Sequence, residues 1–257
     1  MRASFDYSGS RVAVTGASRG IGRAVAAAFA KAGAETFVLA ENDAALDAAE
    51  QLSAEGNVRG IVCDISNRDH VREAFAEIGK LDVLIANAGI ERATPLRDPD
   101  LKIEQSFRDS FEVNVFGTFY SVREALPALG SGGRVILTSS IWGKTAVADF
   151  SAYVATKHAL IGLTRSWAKE LGPDGITVNA VCPGWVETES AMNSLRAMAE
   201  KQNVPAGDLL DEIVEGQSMD GLMQPEDIVG LYLFLASAAA ANITGQAISI
   251  DRGETLL

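Results

Sequence analysis

Short apolar runs alternate along the chain with longer stretches whose apolar residues recur at helical spacing. The runs cover 11–16 (RVAVTG), 35–40 (ETFVLA), 58–63 (VRGIVC), 81–86 (LDVLIA), 133–139 (GRVILTS), 175–181 (GITVNAV) and 246–250 (QAISI). Several lack the polar alternation of a half-exposed strand, as parallel strands buried on both faces do. Between the first two, Ile21, Val25 and Phe29 predict a helix over 20–32. Asp43 is the expected N-cap of a helix over 44–54. Ser66 or Asn67 caps a further helix with Val71, Phe75 and Ile78 on one face. Long helices are predicted over 104–129 and 151–171. Another, over 225–236, opens on Pro225 with Glu226 and Asp227 in its first turn.

Regular alternation of this kind implies a parallel sheet with helices on both faces. No linker, repeat or low-complexity tract divides the chain. The expectation is one α/β domain over 1–257, a doubly wound Rossmann-type fold with seven parallel strands flanked by helices. The segment 184–222 breaks the alternation, with helical pieces near 190–202 and 207–216. Beside a strand's carboxyl end, such an insertion is expected to form a substrate-binding lid.

Composition narrows the function classes. The 257 residues are 47% hydrophobic, enough for a sizeable core, and carry a net charge of −12. That charge argues against nucleic acid and anionic membrane as partners. Cys63 and Cys182 lie in apolar runs and read as buried free thiols, which suits a reducing cytoplasm. The first ten residues have no apolar core of signal-peptide length, and the run 231–241 is too short to span a bilayer. His70 and His158 stand alone, so no metal site is expected.

The first strand runs into TGASRGIG, with Gly16, Gly20 and Gly22 between a strand and a helix. Glycine allows the tight turn and close backbone approach that a phosphate requires, and the following helix offers free N–H groups. Further on, SSIWGKTAVADFSAYVATK places Tyr153 thirteen residues after Ser140 and Lys157 four after Tyr153. Residues four apart on a helix share a face. A free phenol titrates near about 10, and a neighbouring ammonium lowers it towards a useful acid/base range. Ser140 can donate a hydrogen bond to a reacting oxygen.

These motifs together resemble the short-chain dehydrogenase/reductase family over essentially the whole chain. The glycine turn matches G-x-x-x-G-x-G, with Ser18, Arg19 and Ile21 inside it. CDIS is similar to the stretch whose Asp, here Asp64 with Ile65 beside it, receives the adenine. ANAG resembles N-N-A-G, with alanine for the first asparagine and Asn87, Ala88 and Gly89 retained. PGWVET is similar to P-G-x-x-x-T, which implies nicotinamide contacts from Pro183, Gly184, Val186 and Thr188. The resemblance implies a catalytic set of Asn114, Ser140, Tyr153 and Lys157. In it Tyr153 is the acid/base, Lys157 also binds the nicotinamide ribose, and Asn114 kinks its helix and holds a water for proton relay. It further implies a homotetramer.

Glu41, at the end of the second strand, would repel a 2′-phosphate and favours NAD; Arg19 could pair with that phosphate and argues for NADP. NAD is the expected cofactor, with NADP as the alternative. The pocket walls are expected from Trp142, Val147, Trp185, Glu91, Arg92 and 188–216. Their polarity points to a small-molecule secondary alcohol such as a sugar, polyol or hydroxy acid. A 3-oxoacyl thioester or a steroid or aromatic alcohol stays open as substrate. Epimerase or dehydratase chemistry on the same scaffold, and a non-catalytic cofactor-binding regulator, stay open as functions.

Overall fold

A computed structural model describes residues 4–256. Seven parallel strands form one sheet in the order β3-β2-β1-β4-β5-β6-β7. They are β1 (Arg11–Thr15), β2 (Glu35–Ala40), β3 (Val58–Val62), β4 (Leu81–Ala86), β5 (Leu129–Thr138), β6 (Thr177–Pro183) and β7 (Ala247–Ile250). The strand order reverses between β1 and β4, and parallel α/β sheets open a crevice at that point. Single α/β architecture with seven parallel strands is what the alternating runs imply.

The period of two along each strand separates two cores. Val12, Val14, Val38 and Ile85 face α1 (Gly20–Lys31), α2 (Ala44–Leu52) and α9 (Pro225–Ala236). Ala13, Phe37, Leu84 and Leu137 face α3 (Arg68–Ile78), α5 (Thr118–Ala125) and α6 (Ser151–Leu171). Phe29, fully buried, packs edge-on against Tyr7 with ring centroids 4.9 Å apart. Cys63 and Cys182 are both buried free thiols. No helix among the described residues is long and apolar enough to cross a membrane.

Several boundaries differ from the sequence pattern. The helix expected over 104–129 is instead α4 (Leu101–Phe111), a π-helical turn (Glu112–Gly117) and α5, which stops at Ala125. Beyond it β5 begins at Leu129, four residues before the apolar run, with an irregular register between Leu81 and Val83. The glycines at 130, 132 and 133 hide this strand start, because they carry no side-chain pattern. Asp43 does not cap α2 with its side chain; Asn42 Oδ1 accepts from Ala44 N (3.0 Å) instead. Asn67 caps α3, accepting from the N–H groups of Asp69 and His70, while Ser66 turns to Asp64. Gly175, at φ 77°, sets β6 two residues later than expected.

Between β6 and α9 lie α7 (Glu189–Gln202) and α8 (Ala206–Glu215). They close a third, smaller core with Ile141, Trp142, Phe150 and Trp185. The Arg19–Glu189 pair (3.2 Å) and the Lys201–Asp149 pair (2.5 Å) tie α7 to the glycine turn and to the loop before α6. The terminal apolar pair splits: Leu256 is exposed, and Leu257 lies outside the described residues.

Truncating Phe29 to alanine is expected to cost about 3–5 kcal/mol through lost burial and the cavity left behind. Asn67→Ala, which removes one helix cap, is expected to cost about 1 kcal/mol. Chemical denaturation of the two variants beside the parent protein checks both the sizes and their order.

Candidate active site

The cleft opens where β1 and β4 part, with a cavity of about 690 Å³. Its floor is stitched by hydrogen bonds between the ends of these strands. Thr15 Oγ1 accepts from Asn87 N (3.0 Å) and Ala88 N (3.1 Å). Asn87 Nδ2 donates to Thr15 O (3.1 Å) and Gly16 O (3.2 Å). Glycine is required at the turn for two separate reasons. Gly16 has φ 63°, and a Cβ there would lie 2.6 Å from Ala88 Cα. Gly22 lies against Gly16 O, with no room for a side chain.

These residues suit a dinucleotide. Arg19 stands at the N-cap of α1 but offers no side-chain cap, so the first-turn N–H groups face the cleft without a protein partner. Ser18, Arg19, Gly20 and Ile21 line that end. Glu41, Asp64 and Ile65 line the next part, past the ends of β2 and β3. Asp64 Oδ1 already accepts from Ser66 N (2.9 Å) and Ser66 Oγ (2.7 Å), which fixes the carboxylate's orientation. Gly89, Pro183, Gly184, Val186 and Thr188 line the far end. Thr188 Oγ1 caps α7 by accepting from Ala191 N (3.2 Å), and its methyl approaches Gly20. One local turn thus links the glycine loop to α7.

At that far end Ser140, Tyr153 and Lys157 line one wall. Ser140 follows β5 directly, and its Oγ accepts from Trp142 N (3.1 Å). Ser139 points the other way and donates to Lys157 O (2.9 Å), so only Ser140 keeps its hydroxyl free to donate to the cleft. Lys157 is buried and donates from Nζ to Thr138 O (2.8 Å). Its ammonium lies 5.3 Å from the Tyr153 ring centroid. Asn114, fully buried, sits in the π-helical turn. Its Oδ1 accepts from Ile90 N (2.8 Å), and its Nδ2 donates to Ile90 O (2.9 Å) and Thr156 Oγ1 (3.0 Å). The amide therefore joins the segment after β4 to α6. Widened turns of this kind recur at functional sites.

The electrostatics depart from the sequence expectation at one point. Burial, and next the Glu91 carboxylate, hold the Tyr153 phenol above its ordinary value, with Ser140 hydrogen bonding pulling the other way. Lys157 alone does not bring it down. Burial also pushes the Lys157 ammonium down to about 8, against the opposing pull of Glu91. Glu91 in turn is raised by burial, and Ser194 and Lys157 offset this only in part.

The remaining wall is aromatic. Trp142 and Trp185, both largely buried, meet edge to face at 5.8 Å, and Trp142 meets Tyr153 the same way at 5.9 Å. Arg92, expected as a pocket wall, lines the cleft and is paired to Asp109 at 2.5 Å. Val147 packs on the third core and is not among the cleft-lining residues. Thr15, Thr138 and Thr156 were not singled out by sequence. Each acts through a backbone or side-chain contact made only in the fold, and Thr15, immediately before the glycine turn, is the one that position could have signalled. Among the described residues no cluster of three or more potential metal ligands forms.

Comparison with known proteins bears on the same residues. Residues 16–255 match the family model described as Enoyl-(Acyl carrier protein) reductase. A 1,2-dihydroxy-1,2-dihydronaphthalene dehydrogenase of Pseudomonas putida is 36% identical, covering 95% of this chain and 96% of that protein. A short chain dehydrogenase from Burkholderia cenocepacia, solved with NADP, superposes with a TM-score of 0.84 at 32% identity over 96% of this chain and 98% of that one. A 3-oxoacyl-[acyl-carrier protein] reductase from Brucella melitensis, solved with NAD, gives 0.84 at 30% identity over 96% and 92%. The matched region spans nearly the whole chain, and the chain belongs to the short-chain dehydrogenase/reductase family.

Proposed function

We propose that this chain is an NAD-dependent dehydrogenase that interconverts a small secondary alcohol and its ketone. One observation carries the reading: Ser140, Tyr153 and Lys157 meet at the far end of a cleft whose near end is a glycine turn with an uncapped helix N-terminus. When bound, the nicotinamide supplies the hydride acceptor for oxidation and the donor for reduction. The chain's own residues handle the proton and the oxygen. In oxidation Tyr153, as the phenolate, takes the hydroxyl proton. Ser140 donates a hydrogen bond to the reacting oxygen. Lys157 stabilises the phenolate by its charge, and the aromatic wall keeps water away. Asn114 is the positioning residue that ties α6 to the segment after β4, and a water beside it relays the proton to solvent.

The cofactor preference follows from charge. Glu41 lines the cleft where the second strand ends, and Arg19 is engaged with Glu189. A 2′-phosphate would meet the Glu41 carboxylate, and the exposed Arg19 guanidinium would have to leave Glu189 to offset it. α7 and α8 serve as the lid over the substrate. Exposed Phe107 and Phe116 along the α4–α5 helix favour its pairing with a second copy in a tetramer.

Three outcomes are expected. Tyr153→Phe lowers turnover by about two orders of magnitude or more while fluorescence titration still reports NAD binding; near-normal turnover removes Tyr153 from the chemistry. Because the phenol is held high, its active deprotonated form accumulates only as pH rises. Oxidation kcat/KM should therefore climb with pH through about pH 10, while ketone reduction, which uses the protonated phenol, stays level over the same range. A flat oxidation profile would contradict this. Finally, kcat/KM with NAD exceeds that with NADP, and Glu41→Ala narrows the gap by about tenfold. A wild-type preference for NADP would overturn the cofactor assignment.

A further inference from the structure

Glu91 is a carboxylate without an evident structural task. It lies two residues beyond Gly89 and lines the cleft on the side of Tyr153 and Trp142. Its neighbour Arg92 turns to Asp109 instead. Its segment runs beside Lys157, since a Cβ on Gly89 would lie 3.6 Å from Lys157 Nζ and Ile90 bonds Asn114 through both its N–H and its C=O. The Glu91 carboxylate acts on the protonation of Tyr153 and Lys157, and Ser194 on α7 acts on its own. Placing a carboxylate in a partly buried wall costs free energy unless something donates to it. The protein's own nearby donors are a serine hydroxyl and an ammonium already bonded to Thr138 O.

The surroundings define what a ligand must bring. An anionic group beside Glu91 is repelled at short range in a site of low effective dielectric. A cationic group is disfavoured by the Lys157 ammonium. A neutral hydroxyl meets neither objection and can donate to the carboxylate. The perpendicular faces of Trp142 and Trp185 add a flat apolar wall on which a ring can lie.

We infer that Glu91 selects the substrate by accepting a hydrogen bond from a second hydroxyl adjacent to the one oxidised, so that the site takes neutral cyclic vicinal diols and rejects hydroxy acids. This rests on the dehydrogenase reading and narrows it. The reaction is balanced as diol plus NAD⁺ giving hydroxyketone, NADH and a proton. The carbinol C–H bond breaks with its electron pair leaving as hydride, the O–H proton passes to Tyr153, and the C=O bond forms. Glu91 takes no part in bond breaking; it holds the second hydroxyl.

Three ring-matched probes test this: cis vicinal cyclohexanediol, cyclohexanol and hydroxycyclohexanecarboxylate, each with NAD. The expected order of kcat/KM is diol, then cyclohexanol, then hydroxy acid, with the diol favoured over cyclohexanol by about tenfold or more. Glu91→Gln should lower the diol-to-cyclohexanol ratio by about tenfold, chiefly through KM, and Glu91→Leu should abolish it. Circular dichroism and NAD titration report whether the variants fold. Quenching of tryptophan emission by the diol, measured without turnover, should weaken in the same order. A wild-type preference for the hydroxy acid, or a ratio and a quenching curve unchanged in Glu91→Gln, overturns the role of Glu91. If no probe is oxidised by the wild type, the dehydrogenase reading fails, and the quenching titration alone then decides whether Glu91 binds a diol.

Discussion

The crossing of hydrogen bonds between Thr15 and Asn87 is the constraint on which the site rests. β1 and β4 are neighbours in the sheet, yet the chain leaves their carboxyl ends towards opposite faces. Such a divergence leaves backbone groups exposed at the crevice floor. Asn87 satisfies two carbonyls of the glycine turn, while Thr15 satisfies two N–H groups beyond β4. The turn is thereby held in a conformation that glycine permits and no other residue could adopt beside Ala88. The uncapped start of α1, which depends on that turn, keeps its direction into the cleft.

A second consequence of close packing is electrostatic. Lys157 is buried and Tyr153 and Glu91 are partly buried along one cleft, so each alters the protonation of its neighbours. The ammonium is destabilised by burial and holds a backbone carbonyl; the phenol is raised; the carboxylate is raised. Displaced titratable groups gathered in one cleft are a mark of functional sites. Helix α7 brings Ser194 to this set, and Trp185 packs with Leu195 and Ala199 of α7 in the small third core.

Much of this was legible from residues alone. The seven apolar runs, the glycine turn and the Ser140–Tyr153–Lys157 spacing sit where the pattern puts them, because strand and helix periodicity and turn sterics are local properties. The choice of Ser140 over Ser139 came from spacing, and the opposite orientation of their hydroxyls fits it. The misses have a common cause. The helix over 104–129 reads as continuous because a π-helical turn has no separate hydrophobic signature, and only the contacts of Asn114 with Ile90 and Thr156 give it a reason. Asp43 is the expected cap of α2, but it is the Asn42 side chain that accepts from Ala44 N. Arg92 reads as a free cation until Asp109, on a distant helix, takes it.

The sequence by itself determined the fold class, the order of the elements and the residues around the glycine turn and the Ser140–Tyr153–Lys157 wall. These depend on side-chain periodicity, on glycine's freedom at positive φ and on the fixed offset of residues along one helix. Only the tertiary structure decided which charges are paired, which are buried and which face the cleft. Arg19 meets Glu189 across 170 positions, and Glu91 acts on Tyr153 and Lys157 of α6 from the segment after β4. Pairing and desolvation are set by what lies within a few ångströms in space, and no local pattern along the chain encodes that.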